Sequence, residues 1–162
     1  MRMISDWEIQ IKAQIRRRYA QQAANQPENT NKLNKSRYPK NLIKNLPLAL
    51  AKQYSGCGYL FKDIGFDGSE TVLDLGSGAG IDSYIASTFI NTGKIFSIDM
   101  TFEMLSHHNI QNIKPICADL EYLPIVSSCI DLIISNASFS LSISKEKAFS
   151  EAFRVLKGNG RL

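Results

Sequence analysis

No stretch of this 162-residue sequence approaches the roughly 20 consecutive apolar residues of a membrane-spanning helix, and the charged amino-terminal end lacks the apolar block of a secretory leader. The expectation is a cytoplasmic protein with no membrane partner. Cysteine is as scarce: Cys57, Cys117 and Cys129 are odd in number and far apart, without a Cys-x-x-Cys or cysteine–histidine spacing. That excludes a disulfide framework and a zinc site, so no metal is expected and a reducing compartment follows. The only two histidines, His107 and His108, sit side by side after an expected helix and read as surface residues. No triad is visible, and catalytic residues stay unassigned.

What is present describes one ordinary globular domain with a real core, at 44% apolar and 21% charged residues. The net charge of +4 is unevenly spread: residues 1–54 hold eleven Lys/Arg against three acids, a net +8, which leaves −4 for the rest. Arg16-Arg17-Arg18 beside Tyr19 reads as a solvated helix face, because no aromatic-rich RNA-binding pattern accompanies it; nucleic acid is not an expected partner. Cys117 alternates within an apolar strand and reads as a core residue. Cys57, between Gly56 and Gly58, lies in a loop where a thiol can be reached, and is the one substrate-contacting candidate among the cysteines.

The informative run is Thr71-Val72-Leu73-Asp74-Leu75-Gly76-Ser77-Gly78-Ala79-Gly80-Ile81-Asp82, an apolar strand flowing into a glycine loop. Gly76, Gly78 and Gly80, with Ser77 between them, let a ligand lie against the main chain near the N–H groups that open the next helix. The spacing G-x-G-x-G with Asp74 two residues ahead differs from the G-x-G-x-x-G of dinucleotide binders and suits a nucleoside with a cationic part. A second apolar strand, Lys94 to Asp99, ends in a carboxylate about 20 residues on, the place of a ribose diol. Asp99 is the ribose candidate, with Met100 beside it.

Strand and helix alternate from Thr71 onward: strands at 71–76, 94–99, 113–118 and 130–135, helices near 80–90, 101–108 and 144–157. This predicts an α/β, doubly wound, mostly parallel sheet of the Rossmann-like kind, whose ligands bind beyond the carboxyl ends of the strands. Asp74, Asp99, Asp119 and Asn136 all fall there. Ahead of the sheet, Ile4, Trp7, Ile11, Ile15 and Tyr19 form the stripe of an amphipathic helix. Residues 25–40 are polar and read as a mobile linker or lid, and Pro47 starts or interrupts a turn within 42–54. Residues 1–54 are thus a helical lid segment and 55–162 the ligand-binding core. Gly158 to Leu162 read as a turn entering a strand, so the chain is expected to be a fragment with an incomplete sheet. The strand at 130–135 would then be an open edge, covered by a second copy in a homodimer or by the N-terminal helix.

The blocks VLDLGSGAG, IDM, ADLEYLP, IDLIISN and FRVLKGNGRL resemble, in order, the class I S-adenosylmethionine-dependent methyltransferases. Within that class, GSGAGID, SIDMTFEML, Tyr38-Pro39 and Ser55-Gly56-Cys57-Gly58 are most similar to the arsenite methyltransferases. The resemblance implies S-adenosylmethionine as cofactor and a small molecule as methyl acceptor. It places Asp74 and the glycines at the methionine part, Asp99 at the ribose hydroxyls, and Asp119 with the Leu120 backbone at the adenine; Glu121 and Pro124 complete the pattern. Where such enzymes carry a cysteine in Ser-Asn-Cys after the fourth strand, this chain has Ser135-Asn136-Ala137. A non-catalytic cofactor-binding module, completed by another chain or by further sequence, is the alternative reading.

Overall fold

A computed structural model of the chain describes residues 5–25, 33, 35–106 and 112–162; His107, His108 and Ile4 lie outside the described residues. Five strands form one sheet: β1 (Thr71–Leu75), β2 (Lys94–Asp99), β3 (Ile113–Cys117), β4 (Ile130–Ile134) and β5 (Leu156–Arg161). Their spatial order is β3-β2-β1-β4-β5 and all four pairings are parallel. The expected doubly wound α/β sheet is therefore what the chain adopts. Because β1 lies at the centre and the order reverses on either side of it, a crevice opens beyond the carboxyl ends of β1, β2 and β4.

Among the helices are α1 (Asp6–Asn25), α2 (Lys40–Ile43), α3 (Leu48–Lys52), α4 (Ile81–Ser87), α5 (Phe102–Leu105) and α6 (Lys145–Val155). Pro39 and Pro47 stand at the caps of α2 and α3, so Pro47 starts a turn. Strand alternation sorts β1 between two layers. Val72 packs with Ile95, Leu132 and Ile134 under Ile81 and Ile85 of α4, in a layer completed by Leu33, Tyr38, Leu50 and Tyr54. Leu73 and Leu75 face the other way, onto Ile98, Ile130, Ile133 and Val155. The fully buried Val72, Leu73 and Leu75 each contribute about 1.5–3 kcal/mol by leaving water.

Four expectations are corrected. First, β4 is not an edge: β5 pairs with it at Ile130↔Leu156 and Leu132↔Arg161 across a register shift. Gly160 makes this possible, since a Cβ there would come within 3.0 Å of the Ile130 carbonyl oxygen. A strand reading Leu-Lys-Gly-Asn-Gly-Arg has too little β character to be recognised in sequence, and the premise for a homodimer through β4 is gone. Second, α1 does not bury the Trp7–Ile11 stripe, which is exposed; Glu8, Lys12, Ile15, Tyr19 and Ala23 face inward. The polar anchor at Lys12, described below, sets the helix's rotation. Third, Leu33 and Tyr38 of the supposed mobile linker are core residues. Fourth, Cys117 is exposed, because β3 is an outer strand of the sheet.

Candidate functional site

The glycine loop after β1 is held in place by β2. The Gly76 and Ser77 N–H groups both donate to the Ile98 carbonyl oxygen, at 2.7 and 2.9 Å. Gly76, Gly78 and Gly80 all have positive φ, at 70°, 54° and 92°, but they do three different things. Gly76 leaves room for Ser138, whose Oγ would lie 2.8 Å from an added Cβ. Gly78 borders open space, so a ligand can approach its main chain. Gly80 is the left-handed cap of α4 and lines neither of the cavities at the loop.

Asp99 ties this loop to the next element: Oδ2 accepts from the Gly78 N–H at 2.9 Å and Oδ1 from the Thr101 N–H at 2.8 Å. Asp99 thus stands on the cleft wall, with its carboxylate anchored to the loop. Asp74 behaves otherwise. Sharing its face of β1 with Val72, it points under the loop toward α4, is 1% exposed, and accepts from Ser83 Oγ at 2.6 Å. Burial, reinforced by the Asp82 carboxylate, pushes the Asp74 carboxyl up to about 8. Asp74 is thus bonded to α4 and lines neither of the cavities at the loop.

Asn136 is the junction of the other wall. Its Oδ1 accepts from the Cys57 N–H at 2.8 Å, and its Nδ2 lies 2.9 Å from both Asp82 Oδ2 and the Gly58 carbonyl oxygen. Tyr38 donates to the remaining Asp82 oxygen at 2.5 Å. Burial pushes the Asp82 carboxyl up to about 6, against the pull of the Tyr38 and Asn136 hydrogen bonds. This one side chain therefore joins the end of β4 to the segments around 38, 57 and 82. Next to it, Ala137 has φ 75°, a conformation uncommon for a residue with a Cβ. Cys57 is exposed, and its main chain is bonded to the residue preceding Ala137.

A cleft of about 760 Å³, measured to its open mouth, runs between these walls. Gly76, Gly78, Asp99, Met100, Asp119, Leu120 and Asn136 line it, and Ser77 lines the smaller adjoining cavity. Thr101 Oγ1 and Ser77 Oγ are buried at this loop without a hydrogen-bond partner among the described residues. The sequence reading missed the contribution of α1: Lys12, Ile15 and Tyr19 form one side of the cleft. Lys12 Nζ reaches Asp119 Oδ2 at 2.5 Å and Glu121 Oε2 at 2.6 Å. Burial works against the ammonium, but hydrogen bonds and charge from the two carboxylates outweigh it and raise its pKa. The excess of basic residues in 1–54 was the only signal for such a pair.

The family model described as "Methyltransferase domain" matches residues 66–162. The arsenite methyltransferase of Halobacterium salinarum is 32% identical over 115 residues, covering 66% of this chain and 29% of that protein. The malonyl-[acyl-carrier protein] O-methyltransferase of Marinomonas sp. is 31% identical, covering 57% of this chain and 35% of that protein. In crystal form, an arsenic(III) S-adenosylmethionine methyltransferase from Chlamydomonas reinhardtii superposes with a TM-score of 0.67 at 29% identity, over 75% of this chain and 46% of that one. The chain thus spans about a third of the curated relatives' length.

Proposed function

We propose a function from one premise: the chain belongs to the methyltransferase-domain family. It binds S-adenosylmethionine in the cleft and passes the methyl group to a small-molecule acceptor. The observation that carries this reading is the convergence of an open glycine main chain at Gly78 with carboxylates at the ends of β2 and β3 around one cleft. The residues fit such a group: the Asp99 carboxylate lines the cleft where the ribose hydroxyls would lie, Asp119 and the Leu120 main chain can meet the adenine edge, and the Gly76–Gly78 main chain can lie along the methionine part. The buried, unpartnered hydroxyls of Ser77 and Thr101 are further polar groups at the loop.

A sulfonium supplies an already activated methyl carbon and leaves as a neutral thioether, so the chain's own work is to orient the two partners and keep water out. Ile15, Tyr19 and Leu141 provide an apolar lining for that purpose. The acceptor would stand against Asn136, Ala137 and Ser138, with residues 1–54 as the cover over the site. Replacing Asp99 by Ala removes the ribose acceptor and is expected to weaken S-adenosylhomocysteine binding by about 1–3 kcal/mol. Calorimetry on the purified chain checks this, and an unchanged affinity sinks the ribose assignment.

For the acceptor, the likeness to arsenite methyltransferases is qualified by Ala137. Trivalent arsenic is held by several soft thiolates, and Cys57 alone stands beside that position. Arsenite is therefore expected to be a poor acceptor for this chain. S-adenosylhomocysteine formation measured across a panel of acceptors tests it, with robust turnover of arsenite as the contrary result. The second reading, a cofactor-binding module completed from elsewhere, is motivated by the third of the relatives' length that the chain spans. Binding of the cofactor with no turnover of any acceptor would select it.

A further inference from the structure

Asp119 has one carboxylate oxygen committed to its own loop: Oδ1 accepts from the Glu121 N–H at 2.9 Å. The other, Oδ2, is the oxygen that a donor in the cleft would use, and Lys12 Nζ sits on it. Lys12 has a second acceptor that cannot follow it away. Glu121 is 95% buried, with Oε1 accepting from Ser142 Oγ and from the N–H groups of Ile143 and Ser144 at 2.7, 2.9 and 3.0 Å, while Oε2 holds Lys12. The Tyr122 ring also lies near, 5.6 Å from Nζ. Resting on the cofactor reading above, we propose that Lys12 is a placeholder for the adenine amine. Before the cofactor binds, its ammonium fills the donor place on Asp119; when the amine takes that place, Lys12 keeps its bond to Glu121 and α1 stays seated over the ligand.

The argument is one of charge. A part-buried ammonium that loses both carboxylates is left unpaired, which is costly, whereas one that loses a single partner of two is still compensated. Two acceptors, two residues apart on one loop, let the ligand displace one bond without releasing the helix. Because Ile15 and Tyr19 ride on the same helix, the apolar wall stays closed with it. Glu121 is thus a positioning residue: it fixes the 142–144 loop with one oxygen and α1 with the other.

The test compares amide hydrogen exchange along α1 in the wild-type chain and in Glu121→Gln, with and without saturating S-adenosylhomocysteine. The glutamine amide oxygen still accepts from residues 142–144, so the loop is kept while the charge facing Lys12 is lost. In the wild type the ligand should leave α1 protection equal or higher; in the variant it should speed α1 exchange about tenfold, as Lys12 loses both partners at once. A second variant, Lys12→Met, removes the competitor. Its preference for S-adenosylhomocysteine over S-inosylhomocysteine, which lacks the amine, should grow by about three- to tenfold. Ligand-bound α1 exchange that is the same in Glu121→Gln and wild type, or a Lys12→Met variant that weakens both ligands equally, overturns the proposal. Failure of the wild type to bind S-adenosylhomocysteine in calorimetry would instead overturn the cofactor reading, and the placeholder with it.

Discussion

Gly76→Ala is expected to lower stability by about 2–5 kcal/mol and to abolish S-adenosylhomocysteine binding, from two separable causes. The first is conformational: φ is 70° here, and a left-handed residue with a Cβ costs about 1–2 kcal/mol. The second is steric. The new methyl would overlap Ser138 Cβ and approach its Cα to 3.4 Å, an overpacking that costs about 1–3 kcal/mol. Ser138 cannot withdraw, because its Oγ donates to the Leu75 carbonyl oxygen at 2.7 Å and pairs with Ser135 Oγ at 2.6 Å. Urea denaturation separates the two contributions. Because Ser138→Gly alone forfeits those two hydrogen bonds, the comparison is made within that background, where Gly76→Ala should cost only the conformational part. Gly78→Ala, where nothing lies within 4 Å of the added carbon, should cost only the conformational part, about 1–2 kcal/mol. Equal losses at 76 and 78 would mean that the Ser138 contact does not set the loop.

Above pH 5 the wild-type chain is expected to lose a few kcal/mol of stability as the pH rises to about 8, and Asp74→Asn to lose much less. The folded protein holds the Asp74 carboxyl up to about 8 and the Asp82 carboxyl up to about 6, through burial first. An unfolded chain releases both protons near pH 4. Between those values the unfolded state binds fewer protons, so the unfolding free energy falls with rising pH until each folded pKa is passed. The asparagine oxygen still accepts from Ser83 Oγ, so the variant removes the ionisation without removing the hydrogen bond. The carboxylates held below their ordinary range, among them Glu121, Asp131 and Glu151, already give their full stabilising effect above about pH 5, lose it only as the pH falls further, and leave this window clear. Chemical denaturation at pH 5, 7 and 8.5 gives the two slopes. A wild type as stable at pH 8.5 as at pH 5, or a variant with the same slope, defeats the argument.

The central sheet was legible because β1 and β2 are short apolar runs whose ends carry signals of their own: glycines after Leu75, a carboxylate at Asp99. Parallel pairing followed from alternation and right-handed crossovers, whereas the order of the strands is known only from the structure. The periphery was not legible, for reasons that differ from residue to residue. The rotation of α1 is decided by a charge on Lys12 meeting two carboxylates more than a hundred residues away, which no local periodicity records. Tyr38 looked like part of a polar linker because its neighbours are polar, yet its ring and hydroxyl are claimed by Tyr54 and Asp82. β5 was hidden by its glycines, which read as a turn; Gly160 serves close packing, while Gly158 borders open space. At the site, spacing could place Asp74 at a strand end; only the strand's register decides that it faces α4 and not the cleft.

The Asn136 junction makes the cleft depend on closure of the chain over long distances. Its bonds to the Cys57 main chain, Asp82 and Tyr38 span 79, 54 and 98 positions of sequence, so chain entropy must be surrendered over most of the molecule before they can close. A ligand seated in the cleft binds the finished fold and nothing before it, and at a hundredfold excess over its Kd adds about 2.7 kcal/mol to the unfolding free energy. The shift of melting temperature with ligand concentration therefore measures completion of the chain's architecture as directly as it measures affinity.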